Sequence, residues 1–343
     1  MLRPLNHTSN QGDLSMRHPT RRQFVAVATG LATSLALPLA HAQAAKYPSR
    51  QVRIVVPFAP GGLTDAYARL FGEQLTQQLG AQVLVENKTG AGAVIGIDAV
   101  AKAAPDGYTL LVTTTGTVMQ NRVLYTKLPY NLDKDLTPIA VFPSGPLVVA
   151  VAPNVPASNI KEFLAWAKGR EGSMGSYAPG SYPQMIADLF NRNYGTKLQT
   201  IHYRGETPMW VDVANNQLQI AVGSVQAFNT VSTRGVKPLG QTGIYRSPKL
   251  PNVPTLIDQG INDPLVSLEG GLALMAPAGT PEAILQVLSQ VVVKGAETPQ
   301  AAKLRENFGI PTKPKNLAET RAEWDRAVPA WIKAAVDLGV KLD

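Results

Sequence analysis

The chain contains no cysteine and only four histidines among its 343 residues, and these two shortages exclude much catalytic and metal-binding chemistry. Without thiols there are no disulfides and no thiolate metal sites, so the fold depends on packing alone. Three of the histidines fall within the first 42 residues, which leaves His202 alone in the rest. A zinc site needs several ligands, and a Ser-His-Asp triad would have to use His202 itself. Paired-carboxylate chemistry stays open, but no close acidic pair lies in an apolar setting. We therefore expect no metal, no cofactor and no enzymatic activity.

The sequence also lacks an apolar run of the ~20 residues that a membrane-spanning helix needs. The nearest candidate, residues 24–40, is short, rich in Ala and Thr, and directly follows Arg21-Arg22-Gln23. Small residues at Ala40 and Ala42 then stand where a signal peptidase reads the chain. This arrangement predicts an export signal over residues 1–42, of the twin-arginine type, although a Sec signal has similar features. We expect cleavage near Ala42 and a mature protein free in the periplasm.

Strong charge of either sign is missing from the remainder of the chain. Beyond residue 42 there are 28 basic and 23 acidic residues, a net charge of +5 with no basic run. That balance argues against a nucleic-acid partner. A mild positive field suits an anionic ligand.

The hydrophobic pattern predicts an α/β protein in which strands and helices alternate. Strands are expected at 51–56, 82–86 and 108–113, with helices at 64–79 and 93–103. A second such unit starts near residue 147, and the strand 270–276 then returns to the first. Alternation of this kind is typical of parallel sheets covered by helices. We predict two parallel-sheet α/β domains around a hinge cleft, with domain 1 formed by residues 43–143 and 267–343 and domain 2 by 144–266.

The segment from Pro57 to Asp65 joins a buried strand to a helix through two adjacent glycines. Glycines expose backbone N–H groups and a helix start adds partial positive charge, so this turn favours an anion. An ordinary N-cap at Thr64 or Asp65 explains the same residues without a ligand. The candidate binding residues here are Phe58, Ala59, Gly61, Gly62 and Asp65.

Three further loops follow predicted strands, where ligands of open α/β sheets gather. The first is rich in threonine, and a solvated loop explains it equally well. The other two precede helices or carry Gly and Ser, as anion-binding nests do. These loops add the candidates Thr114 and Thr115; Tyr177, Ala178, Gly180 and Ser181; and Gly223 and Ser224. His202 is placed near the hinge, where a structural role is the more typical one.

Several motifs occur together in a specific order: Val55 to Gly62 with Asp65, Val85 to Lys88 with Gly90 to Gly92, Pro105 to Leu111, Leu124 to Tyr130, Leu250 to Thr255, and Ala276 to Pro281. From about Lys46 onward the chain resembles the substrate-binding proteins of tripartite tricarboxylate transporters, the Bug family. The resemblance implies a periplasmic binding protein of the hinge-closing, type II-like kind. It also implies a small organic acid held between the lobes, partly by backbone and water from the Pro57 to Asp65 loop, and a two-component membrane permease as partner.

The chain departs from the family pattern in its second half. Met185 stands where the pattern has His, and no Asp lies near Gly223-Ser224. These changes imply a less polar distal pocket, which suits an aromatic or aliphatic carboxylate better than an amino acid. A role as the ligand-presenting partner of a sensor is the alternative to import, and we expect a monomer.

Overall fold

The computed structural model describes residues 47–268, 270–339 and 341, and these contain two five-stranded sheets. The strand order of the first sheet is β2-β1-β3-β10-β4, and that of the second is β7-β6-β8-β5-β9. The first sheet consists of β1 (Val52–Val56), β2 (Val83–Asn87), β3 (Thr109–Thr114), β4 (Leu136–Pro143) and β10 (Gly271–Pro277). The second consists of β5 (Leu147–Val151), β6 (Glu171–Ser176), β7 (Lys197–His202), β8 (Ile220–Ser224) and β9 (Lys237–Gln241). We call each sheet with its helices a lobe.

Helices cover both sheets, and their apolar faces form the core with the strands. In the first lobe they are α1 (Leu63–Leu79), α2 (Val94–Ala101), α3 (Thr115–Leu124) and α4 (Leu132–Asp135). In the second lobe they are α5 (Ile160–Ala167), α6 (Tyr182–Tyr194), α7 (Glu206–Ala214) and α8 (Val225–Asn229). After them come α9 (Pro264–Ser267), α10 (Glu282–Gly295), α11 (Pro299–Phe308) and α12 (Leu317–Leu338). The predicted two-lobed α/β fold is confirmed.

Both sheets are mixed, so the prediction of parallel sheets is wrong in part. In the first lobe β10 runs antiparallel to β3 and β4, while β1 is parallel to β2 and β3. In the second lobe β5 is antiparallel to β8 and β9. The reversed strands are β5, where the chain first enters the second sheet, and β10, where it returns to the first sheet. Their direction is set by that crossing rather than by a helical crossover.

Two segments of chain cross between the sheets, from β4 to β5 and from β9 to β10. A backbone hydrogen bond links the two segments, in which the Thr242 N–H donates to the Leu147 carbonyl at 2.9 Å. The Leu147 N–H returns a 3.0 Å bond to Thr242 Oγ1, and Ser144 Oγ donates to the Gly270 carbonyl at 2.9 Å. Gly145 adopts φ 67°, a left-handed conformation that glycine reaches without strain. The crossing segments thus form a paired hinge beside the cleft.

Four elements near the cleft are missing from the predicted pattern: β4, α3, α7 and α8. Helix α3 begins within a run of Thr and Gly, which are poor helix formers, so propensity alone argues against it. Its first residues, Thr115 to Thr117, are nevertheless buried. The alternative of a solvated threonine loop is therefore wrong, because packing against β10 and α12 determines the conformation.

Candidate ligand-binding cleft

A cleft with a cavity volume of about 110 Å³ lies where the two lobes face each other. Its walls combine the loop after β1, the starts of several helices, and both crossing segments. Apolar and aromatic side chains dominate the lining, among them Leu63, Tyr177, Tyr182 and Trp331. A concave, mostly apolar space with a few polar groups is the usual form of a small-molecule site.

Five helices begin at this cleft, which gives it a positive character without side-chain cations. The first residues or N-caps of α1, α3, α6, α7 and α8 are all in its lining. No side chain caps the N-termini of α1, α6 and α7. Unpaired N–H groups and the helix dipole together favour an anion at such ends. Of the described residues, Glu206 alone brings a charged side chain to the wall.

Asp65 holds the loop between β1 and α1 in place from the side that faces away from the cleft. Its carboxylate, only 5% exposed, accepts bonds from Arg69 at 2.9 and 3.0 Å, from Asn87 Nδ2 at 3.0 Å and from the Gly61 N–H at 3.1 Å. Asn87 Nδ2 also donates to the Phe58 carbonyl at 3.0 Å. Burial by itself raises the pKa of Asp65, but the bonds from Arg69, Asn87 and Gly61 outweigh it and hold that pKa low. Asp65 therefore shapes the loop, while its negative charge is neutralised away from the cleft.

The loop from Tyr177 to Ser181 uses most of its polar groups internally. The Gly180 N–H donates to Gln184 Oε1 at 2.7 Å, and the Ser181 N–H donates to the Ala178 carbonyl at 3.2 Å. Ser176 Oγ and Ser181 Oγ are 2.6 Å apart. These N–H groups are therefore committed within the loop, and what reaches the cleft is the ring of Tyr177.

Glu206 is the first residue of α7, and it turns its carboxylate toward β8. Oε2 accepts bonds from the Ser224 N–H at 3.0 Å and from Ser224 Oγ at 2.5 Å. Burial raises the pKa of Glu206, and the two bonds from Ser224 oppose that rise. The charge of Glu206 also raises the pKa of Tyr177, for which burial is the larger cause. The two side chains thus share one wall of the cleft.

The lobes touch directly at the cleft edge. The Ala59 N–H of the first lobe donates to the Arg204 carbonyl of the second at 2.9 Å. The rings of Phe58 and Tyr177 meet edge to face with centroids 6.3 Å apart. Gly205 has φ 149° and lies against Ala59, so a side chain at this position would meet the loop of the first lobe. The two lobes are therefore in direct contact at this edge, an arrangement that we call closed.

The structure divides the predicted binding residues into two groups. Those in the cleft lining are Phe58, Ala59, Gly62, Thr114, Tyr177 and Ser224. Those outside the lining are Gly61, Asp65, Thr115, Ala178, Gly180, Ser181 and Gly223. Thr115, of the second group, contacts a lining residue, since its Oγ1 accepts a 3.0 Å bond from the Gly271 N–H. His202 is exposed at the end of β7 and is not in the lining. Ligand contact by any of these residues stays a prediction.

Several lining residues are absent from the predicted set, and Glu206 is the most consequential. The sequence implied a less polar distal pocket because no Asp lies near Gly223-Ser224, but Glu206 places a carboxylate against Ser224. Met185, by contrast, is buried outside the lining. The signal for Glu206 was the sequence Arg204-Gly205-Glu206 after a strand, the same strand-glycine-helix pattern that marked the first loop. Thr242, Tyr245 and Trp331 come from distant parts of the chain and carry no such local signal.

Two α/β lobes around a hinge, with helix N-termini converging on the cleft between them, define a solute-binding protein of the periplasmic type. Among the described residues, no helix combines the length and apolar character needed to span a membrane. Within the same residues, no group of three or more His, Cys, Asp or Glu side chains is placed to hold a metal ion.

The chain belongs to the tripartite tricarboxylate transporter receptor family, whose model matches residues 67–322. A UPF0065 protein from the tcbD-tcbE intergenic region of Pseudomonas sp. (strain P51) is 32% identical over 340 residues, covering 96% of this chain and 98% of that protein. Protein BugT of Bordetella pertussis is 29% identical, covering 86% and 91%. The resemblance to the Bug family is thus confirmed. The protein is a solute-binding protein and not an enzyme.

Solved structures with bound ligands share the fold. The Rhodopseudomonas palustris protein Rpa4515, solved with adipate, has a TM-score of 0.79 and 27% identity, covering 86% of this chain and 99% of that chain. MatC from the same species, solved with malate, has a TM-score of 0.76 and 26% identity, covering 84% and 100%.

Proposed function

We propose that this protein captures a small carboxylate in the periplasm and delivers it to the membrane permease of a tripartite tricarboxylate transporter. The observation that carries the proposal is the convergence of five helix N-termini on a cleft lined mainly by apolar groups. Such a site complements an anion with a hydrocarbon body, and it does so with dipoles rather than with fixed cations. The adipate and malate bound by the two structural neighbours are ligands of this class.

The carboxylate is expected to bind at the Gly62-Leu63-Thr64 turn, where no side chain caps α1. Asp65 supports this placement because its own charge is paired with Arg69 and does not repel the ligand. The apolar body would then contact Phe58, Tyr177 and Trp331. Closure around the ligand would use the two crossing segments, from β4 to β5 and from β9 to β10, and we propose the domain boundaries at residues 143 and 266 on this basis.

Export rests on the sequence of residues 1–42, which lie outside the described residues. Periplasmic location, the twin-arginine route and the monomeric state are proposals drawn from that sequence and from the family. Detection of the mature chain in a periplasmic fraction, with Gln43 as its first residue, would support the first of them.

Thermal unfolding of the mature protein against mono-, di- and tricarboxylates, aromatic acids included, tests the proposal. A ligand at 100 times its Kd stabilises the folded state by ~2.7 kcal/mol, enough to raise Tm by several degrees. Amines and sugars of matched size serve as controls and should leave Tm unchanged. A panel in which well-folded protein responds to no carboxylate would contradict the proposal.

A further inference from the structure

The charge distribution of the cleft is one-sided, which constrains the chemistry of its ligand. The described lining contains the carboxyl group of Glu206 and no Lys, Arg or His side chain. A carboxylate ligand entering this cleft meets helix N-termini on the first lobe and an acid on the second. A ligand that carried only negative charge would leave the Glu206 carboxylate without a compensating group, which is costly where water is excluded.

Glu206 has one oxygen engaged and one left for the cleft. Both bonds from Ser224 end on Oε2, and in the described part of the chain Oε1 accepts none. Burial raises the pKa of Glu206, whereas the dipole of α7, which Glu206 begins, favours its ionised form. A donor that reached Oε1 would offset this burial by stabilising the ionised carboxylate, for which Oε1 is a further acceptor in the cleft wall.

The dipole of α7 accounts for an acid at this position, but not for an Oε1 that accepts no hydrogen bond within the described residues. Ser224 already caps α8 with its own hydroxyl, which accepts the Ala227 N–H at 3.3 Å. A neutral acceptor such as Gln would satisfy the Ser224 N–H and hydroxyl equally, without the cost of burying a charge. The first lobe shows the contrast, since Asp65 there is paired with Arg69.

We propose that Glu206 is the specificity-determining residue of the cleft and selects carboxylates that also carry a hydrogen-bond donor, either an ammonium or a hydroxyl group. This inference rests on the proposed function. The ligand carboxylate would lie at the start of α1, and the donor would reach Glu206 Oε1 across the cleft. The ring of Tyr177, beside Glu206, would border the donor.

Isothermal titration with ligands that share a carbon skeleton tests this inference and separates the two donors. One series is succinate, malate and aspartate; a second is propionate, lactate and alanine; a third is phenylpropionate, phenyllactate and phenylalanine. In at least one series, a donor-bearing member should bind 10- to 100-fold more tightly than the donor-free one, the size of a hydrogen bond to a charged group. A larger gain for the amino acid identifies ammonium, and a larger gain for the hydroxy acid identifies hydroxyl.

Glu206→Gln should remove most of that preference, because it keeps the size and the acceptor for Ser224 but loses the charge. The matched control is Glu171→Gln, the same change on an exposed residue of the same lobe, and it should leave all affinities unchanged. Glu206→Asp, which keeps the charge, should retain the preference in weakened form. Carboxylates that bind equally with and without donors, or a Glu206→Gln variant with wild-type preference, would overturn the inference but not the proposed function. Failure of every carboxylate to bind would overturn both.

Discussion

The two lobes treat their buried acids in opposite ways. In the first lobe Asp65 is bound by Arg69, Asn87 and a backbone N–H, and these bonds lower its pKa despite burial. In the second lobe Glu206 and Asp188 are half-buried and accept no hydrogen bond from a cation within the described residues, and desolvation raises the pKa of both. Burial raises the pKa in all three acids, and only at Asp65 do the bonds from Arg69, Asn87 and Gly61 outweigh it.

This difference between the acids indicates that the two lobes contribute differently to ligand binding. The first lobe neutralises its acid behind the loop, so that it presents helix N-termini and no charged side chain to a ligand carboxylate. The second lobe leaves an acid in the wall, where it distinguishes one carboxylate from another. Substitutions that alter one lobe at a time test this contrast.

The largest effect is expected from Asp65→Ala in the first lobe. The substitution leaves Arg69, Asn87 and the Gly61 N–H without their shared acceptor. Because Arg69 is half exposed, the loss should be smaller than the roughly 3 to 5 kcal/mol of a fully buried pair, about 2 to 3 kcal/mol in the free energy of unfolding. Urea denaturation measures it, and carboxylate affinity should fall with it because the loop loses its shape.

Glu73→Gln is the matched control for this change, since Glu73 is an exposed acid on the same helix. The wild-type protein should also lose the Asp65 contribution in acid. An acid whose pKa is lowered by folding stabilises the protein above its unfolded pKa, and this is lost as pH falls through the folded pKa. An Asp65→Ala variant as stable as wild type at neutral pH would show that the pairing is not what fixes the loop.

A smaller effect is expected from Gly205→Ala, which disturbs the contact that brings the two walls together. Gly205 has φ 149° and ψ 178°, a region that only glycine adopts readily, and it lies against Ala59. The strain should cost about 2 kcal/mol, part of it in the closed arrangement, and so weaken carboxylate binding roughly tenfold. Gly80→Ala is the control, because Gly80 also has positive φ but ends α1 in open space. It should lower stability without changing affinity.

The elements that hold these residues were largely predictable, whereas the contacts between them were not. Strands β1 and β3 and helix α1 follow from apolar runs, periodicity and the Gly80 stop, which are local signals. Helix α3 was missed because burial overrides the poor propensity of Thr and Gly. Strand β10 was found, but its antiparallel direction depends on the hinge crossing and leaves no trace in its own sequence.

The same limit applies to the cleft. The glycine turn at Gly61-Gly62 was found because strand, glycine and helix are consecutive. The role of Asp65 could not be predicted, because it depends on Asn87, which is 22 residues away at the end of β2. The orientation of the Glu206 carboxylate likewise depends on its hydrogen bond with Ser224, 18 residues later. Spacing in sequence gives the type of each group, and only the fold gives its partner.

The smallest effect is expected from Asp188→Asn in the second lobe, and its sign is opposite to that of Asp65→Ala. Burial raises the pKa of Asp188 to about 6, against a partial lowering by Arg192, and its Oδ2 has no hydrogen-bond partner in the described residues. Well below the unfolded pKa of about 3.9 the carboxyl is protonated in both states, so wild type and variant should be equally stable. Between pH 4 and pH 6 the unfolded chain loses its proton first, and wild type should become less stable as pH rises. At pH 7 the variant should therefore be more stable by about 1 to 2 kcal/mol, discounted because Asp188 is partly exposed.

Urea denaturation across pH 3.5 to 7.5 measures this difference, with Asp325→Asn as the control on an exposed acid of α12. If Asp188→Asn is less stable than wild type at pH 7, the second lobe pairs this acid after all, and the contrast with Asp65 reduces to Glu206 alone. If the difference grows with pH as expected, the second lobe contains an acid that destabilises the folded state when it is ionised. The cause would be desolvation of the carboxylate that no paired cation offsets.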